Sequence, residues 1–260
     1  MKKITFTNSK GGVGKTTITL NVANALAKLG KKVLIFDFDS QANISLALQK
    51  NWKSNKEIIK WFQEDSTKEE LLLSIEDTDI ENIFLVGANR ELSLVTMSDL
   101  NSLAMGELIL KQNFKKIEEE LKQKIDYILM DTSPTMSKIL LNVLLAADEI
   151  IIPIEPHKFS IEGLETITKP YNKMIKTLND IGSNIKNNIN YYVVNKIQKN
   201  VTHKDVMQWI NTLAIANKIL NSKIPFSTIR QKETMINKFS LTDKSPFLIL
   251  VEELFEKGIL

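Results

Sequence analysis

A three-layer α-β-α fold, with helices on both faces of a mostly parallel twisted sheet, is the class this sequence predicts. Three observations predict it. Short apolar runs alternate with longer amphipathic ones along the chain, the pattern of a parallel sheet covered on both faces. The first apolar run leads directly into a glycine-rich loop that opens a helix. Several polar motifs fall at the carboxyl ends of strand-like runs, where ligands bind in such sheets.

The elements follow in order. Ile4-Thr5-Phe6-Thr7 reads as the first strand and is followed by Lys10-Gly11-Gly12-Val13-Gly14-Lys15-Thr16-Thr17. A helical pattern continues through Ile18, Leu20, Val22, Ala25, Leu26 and Leu29 and stops at Gly30. Residues 32–38 form the second strand. Residues 43–75 read as amphipathic helix, with Trp52, Ile58, Ile59, Trp61, Phe62, Leu71 and Leu72 on apolar faces. Ile83–Val86 is a short strand, Leu108–Lys124 a charged helix and Ile125–Met130 a strand ending at Asp131. Ile150–Ile154 is a further strand. Residues 161–178 are helical, interrupted or kinked at Pro170. Asn190–Val194 is a strand ending at Asn195, Val201–Leu220 a helix, and a loop with short extended pieces leads to a closing helix, Phe247–Lys257. With no repeat, low-complexity tract or linker, one domain over 1–260 is expected. The first strand lies close to Met1, so neither a signal peptide nor an N-terminal accessory domain is expected.

Composition narrows the classes. The 260 residues are 43% hydrophobic and 25% charged, ordinary for a soluble globular protein. There is no cysteine, which excludes disulfides, thiolate metal sites and cysteine-held iron–sulfur clusters, and fits a reducing cytoplasm. No apolar run approaches the ~20 residues of a membrane span. The net charge of +3 is unevenly spread: residues 165–246 hold thirteen Lys or Arg against five Asp or Glu. That excess fits either a surface facing a polyanion or a solvated lysine-rich face.

The loop at 10–17 has what phosphate binding needs. Glycines let successive N–H groups point at phosphate oxygens, and the helix N-terminus adds partial positive charge. Lys15 can reach the β- and γ-phosphates and the Thr16 hydroxyl can sit on Mg²⁺. The first glycine of the usual G-x-x-x-x-G-K-[ST] pattern is replaced by Ser9, and a second lysine, Lys10, follows it. Lys10 is either a solvated loop charge or a second phosphate ligand that serves a partner's nucleotide. Asp37-Phe38-Asp39-Ser40-Gln41, Asp131-Thr132-Ser133-Pro134 and Asn195 follow three other strands. Each alone is weak, because aspartate at a strand end is often a cap or turn residue. Together with the loop they form a nucleotide site. One carboxylate would hold Mg²⁺ through water, another would orient an attacking water, and Asn195 could pair with a base edge.

These segments resemble the ParA/MinD family of deviant Walker A ATPases. Lys10–Thr17 is similar to its Walker A motif, and Asp37–Asn43 resembles the stretch D-x-D-P-Q-x-N with serine for proline. Asp131–Pro134 resembles D-x-P-P, again with one serine. Ile151–Leu164 resembles P-x-x-P-x-x-F-x-x-E-G-L. The resemblance implies an ATP- and Mg²⁺-dependent ATPase that dimerises face to face around two nucleotides. It implies that Lys10 crosses the interface, that Gly11, Gly12, Val13, Gly14, Lys15, Thr16 and Thr17 hold phosphate, and that Asp39 positions the hydrolytic water. Thr16 and Asp131 would serve the metal, Asp131 as the Walker B residue. Asn195 would read adenine, and Pro225, in Ile224-Pro225, would lie near the base.

The ParA branch further implies nonspecific double-stranded DNA binding by the ATP dimer, a ParB-type partner that stimulates hydrolysis, and a cytoplasmic, nucleoid-associated location. Lys218, Lys223, Arg230, Lys232 and Lys244 are the DNA candidates. No N-terminal helix-turn-helix domain is expected. A MinD-like membrane-associated ATPase is the alternative and predicts a basic amphipathic C-terminal helix. The polar side of 247–257 is acidic instead. An iron–sulfur relative is removed by the missing cysteines, and no motif supports an amidoligase relative. His157, His203, Trp52, Trp61, Phe62 and Glu118-Glu119-Glu120 read as ordinary surface or packing residues.

Overall fold

The structure, a computed structural model, describes residues 1–49, 57–92, 100–157, 163–198, 201–210, 212–227 and 245–260. Its centre is an eight-stranded sheet: β1 (Lys2–Phe6), β2 (Val33–Phe38), β3 (Glu76–Asp77), β4 (Ile83–Val86), β5 (Tyr127–Thr132), β6 (Glu149–Ile154), β7 (Ile189–Ile197) and β8 (Ile219–Pro225). The order is β3-β4-β2-β5-β1-β6-β7-β8. Every pairing is parallel except β3 with β4. The described helices are α1 (Lys15–Lys28), α2 (Asn43–Leu48), α3 (Glu57–Lys60), α4 (Lys68–Leu73), α5 (Ile109–Lys116), α6 (Glu118–Lys124), α7 (Lys138–Ala146), α8 (Glu165–Asp180), α9 (Val201–Ile210) and α10 (Pro246–Glu256).

Strand alternation divides the core in two. Val33, Ile35, Leu129, Ile151 and Val193 face a layer that includes α1, α2 and α10. Leu34, Phe36, Phe38, Ile128, Met130, Ile150 and Ile152 face the opposite layer, with α5, α7 and α8. Both faces are covered, so the three-layer expectation holds. Trp61 and Phe62 belong to this second core: Trp61 meets Phe36 edge-on at 4.6 Å and donates Nε1–H to Ser74 Oγ, while Phe62 packs on Phe38. Trp52 lies outside the described residues, as does the start of the helix read at 161.

Four element assignments are corrected. The helical stretch 43–75 is cut into α2, α3 and α4, because Gln49 turns extended after α2 and a Thr67 capping box starts α4 afresh. Residues 108–124 break at Ile117, whose fully buried side chain sits where the backbone leaves helical geometry between α5 and α6. Residues 138–146, unassigned from sequence, form α7, capped by Ser137. The helix read to Leu220 ends at Ile210, and 219–225 is instead the edge strand β8. Pro170 lies within α8 without ending it.

The carboxyl ends of β1, β2, β5 and β6 lie side by side at the middle of the sheet, with β7 beyond. The phosphate-loop candidate, Asp39, Asp131 and Asn195 therefore converge on one edge.

Candidate functional site: a nucleotide pocket at the strand ends

Asn8 shapes the entrance to the glycine loop. Its Oδ1 accepts the Lys10 N–H at 3.0 Å, an Asx turn, and its Nδ2 donates to Pro153 O at the end of β6. Ser9, where the usual pattern has glycine, pairs its hydroxyl with Thr166 at the start of α8. Gly14 caps α1 at φ 91°, and a Cβ there would stand 2.2 Å from Asn195 Nδ2. Only glycine meets both demands, so loop and base-edge candidate are fitted to each other.

A cavity of about 730 Å³ opens over this loop, lined by Gly11, Gly12, Gly14, Lys15, Thr16 and Thr17, with Asp39, Gln41, Pro134 and Lys196 also on its wall. Val13, by contrast, is fully buried beneath the loop and offers its backbone. Lys15 is 6% exposed and donates to Lys10 O at 3.3 Å, folding back along the loop. Burial pulls its pKa below the ordinary lysine value, against the opposing pull of Asp131 and Asp39. The Thr16 hydroxyl donates to Asp131 Oδ2 at 2.8 Å. The other oxygen of Asp131 is buried without a hydrogen-bond partner. Burial and the neighbouring Asp37 raise the Asp131 pKa well above the usual carboxylate range.

Asp37 and Asp131 face each other across the β2–β5 register. Asp37 is fully buried, and burial pushes its pKa up to about 6. It accepts the Ser45 N–H at 2.9 Å, the Ser45 hydroxyl at 2.8 Å and the Asp39 N–H at 3.3 Å. It thus pins both ends of the turn that carries Asp39. Asp39 lines the cavity and accepts the Gln41 N–H at 3.0 Å.

Asn195 and Pro225 come together in a smaller recess with Gly14, Thr17, Phe226 and Phe247. Asn195 does not present a wholly free amide there: its Nδ2 donates to Val13 O at 2.7 Å and its Oδ1 accepts the Lys196 N–H. Its strand also runs on to Ile197, past the end read from sequence.

Lys10 is absent from the cavity wall. Its Nζ lies 3.2 Å from Glu155 Oε2, at the end of β6, and Glu155 Oε1 holds Lys196 at 2.8 Å. Sequence reasoning singled out neither Glu155 nor Lys196 as site residues, because their pairing depends on the sheet order. Lys218 and Lys223 are exposed, beside and on the edge strand β8, and Arg230, Lys232 and Lys244 lie outside the described residues. His157 is exposed, and nothing is described of the His203 side chain.

A glycine loop running from β1 into α1, a lysine folded along it, and a threonine paired to a strand-end aspartate define a P-loop nucleoside triphosphatase. Comparison with known proteins narrows this. The family described as AAA domain (AAA_31) matches residues 1–187, and the chain belongs to that family, among its ParA-type partition ATPases. It is an ATPase. The chromosome-partitioning ATPase Soj of Treponema pallidum is 33% identical over 184 residues, 68% of this chain and 66% of that protein. An uncharacterized protein of Methanocaldococcus jannaschii is 29% identical over 99% of this chain and 89% of its own length. A plasmid partition protein of Borrelia burgdorferi, solved with AMPPNP, superposes with a TM-score of 0.76 at 25% identity, covering 99% of this chain and 98% of its own.

Proposed function

We propose that this partition ATPase works as a nucleotide-dependent DNA switch. With Mg-ATP, two copies close face to face around two nucleotides. The dimer binds double-stranded DNA without sequence preference, and a ParB-type partner speeds hydrolysis and releases it. The chain would then be cytoplasmic and associated with the nucleoid while ATP is bound.

The observation that carries this reading is the different placement of two lysines five positions apart. Lys15 is buried along the loop, whereas Lys10 does not line the cavity and its partly exposed side chain turns to Glu155, from where it could meet a second copy's phosphates. Lys15 and the loop N–H groups would bind and orient the triphosphate of their own subunit. Asp39, on its pinned turn, would hold the attacking water in line. Asn195 and Pro225 would border the base.

The residues present fit a magnesium ion. Thr16 and Asp131 already meet, and the unpartnered buried Asp131 oxygen has capacity left for an outer-shell water. No cluster of three or more His, Cys, Asp or Glu able to hold a metal exists among the described residues, which suits a cation held chiefly by phosphate oxygens, a hydroxyl and water. When bound, Mg²⁺ would neutralise charge developing on the β- and γ-phosphate oxygens.

The membrane-positioning alternative gains no support. Phe247, Leu248, Leu250, Val251 and Leu254 of α10 are buried against the core that contains α1, so its apolar face is already covered. No helix among the described residues is long and apolar enough to cross a membrane.

The test is DNA binding with Mg-ATP, Mg-ADP and no nucleotide. Tight binding with ATP alone is expected, and equal binding in all three would sink the switch.

A further inference from the structure

The carboxylate of Glu155 stands where sheet order brings the ends of β1, β6 and β7 together. It is shared by two lysines that lie far apart in the sequence. Oε2 faces Lys10 at 3.2 Å and Oε1 faces Lys196 at 2.8 Å. Lys196 also donates to Gly12 O and lines the nucleotide cavity. Its backbone is held at φ 58°, an uncommon conformation for lysine. The side chains are partly screened rather than free in solvent: Glu155 is 21% exposed, Lys196 28% and Lys10 40%. The two lysines hold the Glu155 carboxyl below its usual pKa even though burial pushes it up.

We infer that Glu155 is a positioning residue that holds Lys10 within its own subunit and so sets how readily Lys10 reaches a second copy of the chain. The inference rests on the sandwich reading proposed above. Lys10 cannot pair with Glu155 and cross a subunit boundary at once, so dimer closure must break the 3.2 Å pair. The fork geometry makes that break easy. When Lys10 leaves, Glu155 keeps Lys196, and no buried charge is stranded. Lys196 thereby makes Lys10 detachable. Without Lys196, the carboxylate would depend on Lys10 alone and release would be harder.

The size of the effect follows from symmetry. A partly exposed ion pair resists release by a small factor, and a symmetric dimer needs two released, so the factors multiply. Removing the restraint should tighten the ATP-bound dimer by about twofold to thirtyfold.

The experiment uses the full chain with Glu155→Gln, Glu155→Asp and Lys196→Met. Dimerisation with Mg-ATP is followed by sedimentation across protein concentration. Binding of a fluorescent ATP analogue is measured separately at dilutions where the chain is monomeric. Thermal melts identify any variant that fails to fold. Glu155→Gln should tighten the dimer while monomer nucleotide affinity stays within about twofold. Glu155→Asp should return towards wild type, and Lys196→Met should weaken the dimer. A Glu155→Gln dimer equal to or weaker than wild type, with wild type still dimerising on ATP, overturns the inference and leaves the sandwich reading standing. If wild type does not dimerise with ATP at any concentration, the sandwich reading fails and this inference fails with it. Should Glu155→Gln not fold, Lys196→Met carries the test, and a Lys196→Met dimer as strong as wild type overturns it.

Discussion

The Thr16 hydroxyl donates to Asp131 Oδ2 at 2.8 Å, tying the first turn of α1 to the end of β5, while Asp131 Oδ1 is buried with no partner. The bond holds two proposed metal-side groups in register. Thr16→Ala should therefore act twice. It removes a group that would bear on the cation, so turnover should fall on the order of a hundredfold, the scale for losing one group that stabilises transition-state charge. It also leaves both Asp131 oxygens unpartnered, costing the free protein about 1–3 kcal/mol. Steady-state hydrolysis and thermal melts check the two effects, and Thr16→Ser should restore both in large part.

Asp39→Ala should separate binding from chemistry. Asp39 lines the cavity but does not tie the turn to the sheet. Asp37 does that, through Ser45, whose hydroxyl in turn accepts the Ala88 N–H beyond β4. The turn should survive the substitution, so ATP should still bind while turnover falls by roughly 10²–10⁴, the range for losing a positioned proton acceptor. Light scattering with ATP should then show a long-lived dimer. A variant that stays monomeric would show that the water-positioning role belongs elsewhere.

The two loop lysines should fail differently. Lys15 is buried along the loop, so Lys15→Ala should abolish nucleotide binding. Lys10 lies outside the cavity, so Lys10→Ala should retain binding by the monomer yet lose the productive dimer and stimulated hydrolysis. Analogue titration and sedimentation on the same samples decide it. Equal loss of analogue binding in both variants would make Lys10 a ligand of its own subunit's nucleotide.

What was legible in the sequence divides by the range of the interactions. The loop, Asp39, Asp131 and the strand cores announce themselves over a few residues, because glycine spacing and apolar runs are local. Helix α7 did not: Lys138–Ala146 is apolar almost throughout, so no 3.6-residue stripe distinguishes it, although Ser137 was available as a cap. Strand β8 carries a period of two, with Leu220, Ser222 and Ile224 buried, but the polar Ser222 on the inward face and the preceding helical run hid it. The Glu155 fork was out of reach, since its partners lie 145 residues upstream and 41 downstream and meet only once β6 is placed between β1 and β7.

Lys218 and Lys223 share an exposed position beside and on the edge strand β8. If this edge meets DNA, replacing both with alanine should weaken ATP-dependent binding to any duplex sequence alike. The slope of log affinity against log salt should become shallower by about 2, because each phosphate left without its lysine removes close to one unit. ATPase activity without DNA should be unchanged, as neither residue lines the nucleotide cavity. An unaltered slope would move the DNA surface away from this edge.

Glu253 supplies a stability test outside the site. It projects from α10 with 7% exposure and accepts the Asn221 and Ser222 N–H groups, both at 2.7 Å, so one carboxylate caps part of the β8 backbone. Burial pushes its pKa up, but the bonds from Ser222 and Asn221, with Lys257 nearby, outweigh this and leave it below the ordinary 4.5. A lowered carboxylate stabilises the fold at pH above its unfolded value, and the contribution disappears as pH falls through the folded value. Glu253→Gln places an amide N–H₂ against one of the two backbone donors. It should cost about 1–3 kcal/mol at pH 7. Below pH 4.5 the unfolded chain takes up a proton before the folded wild type does, and the advantage drains away as pH falls towards the lowered folded value, so the gap between the two proteins should narrow. Thermal melts of both across roughly pH 7 to 3.5 measure it. A gap that stays constant over that range would mean that the shape of the side chain, and not its charge, holds β8 to α10.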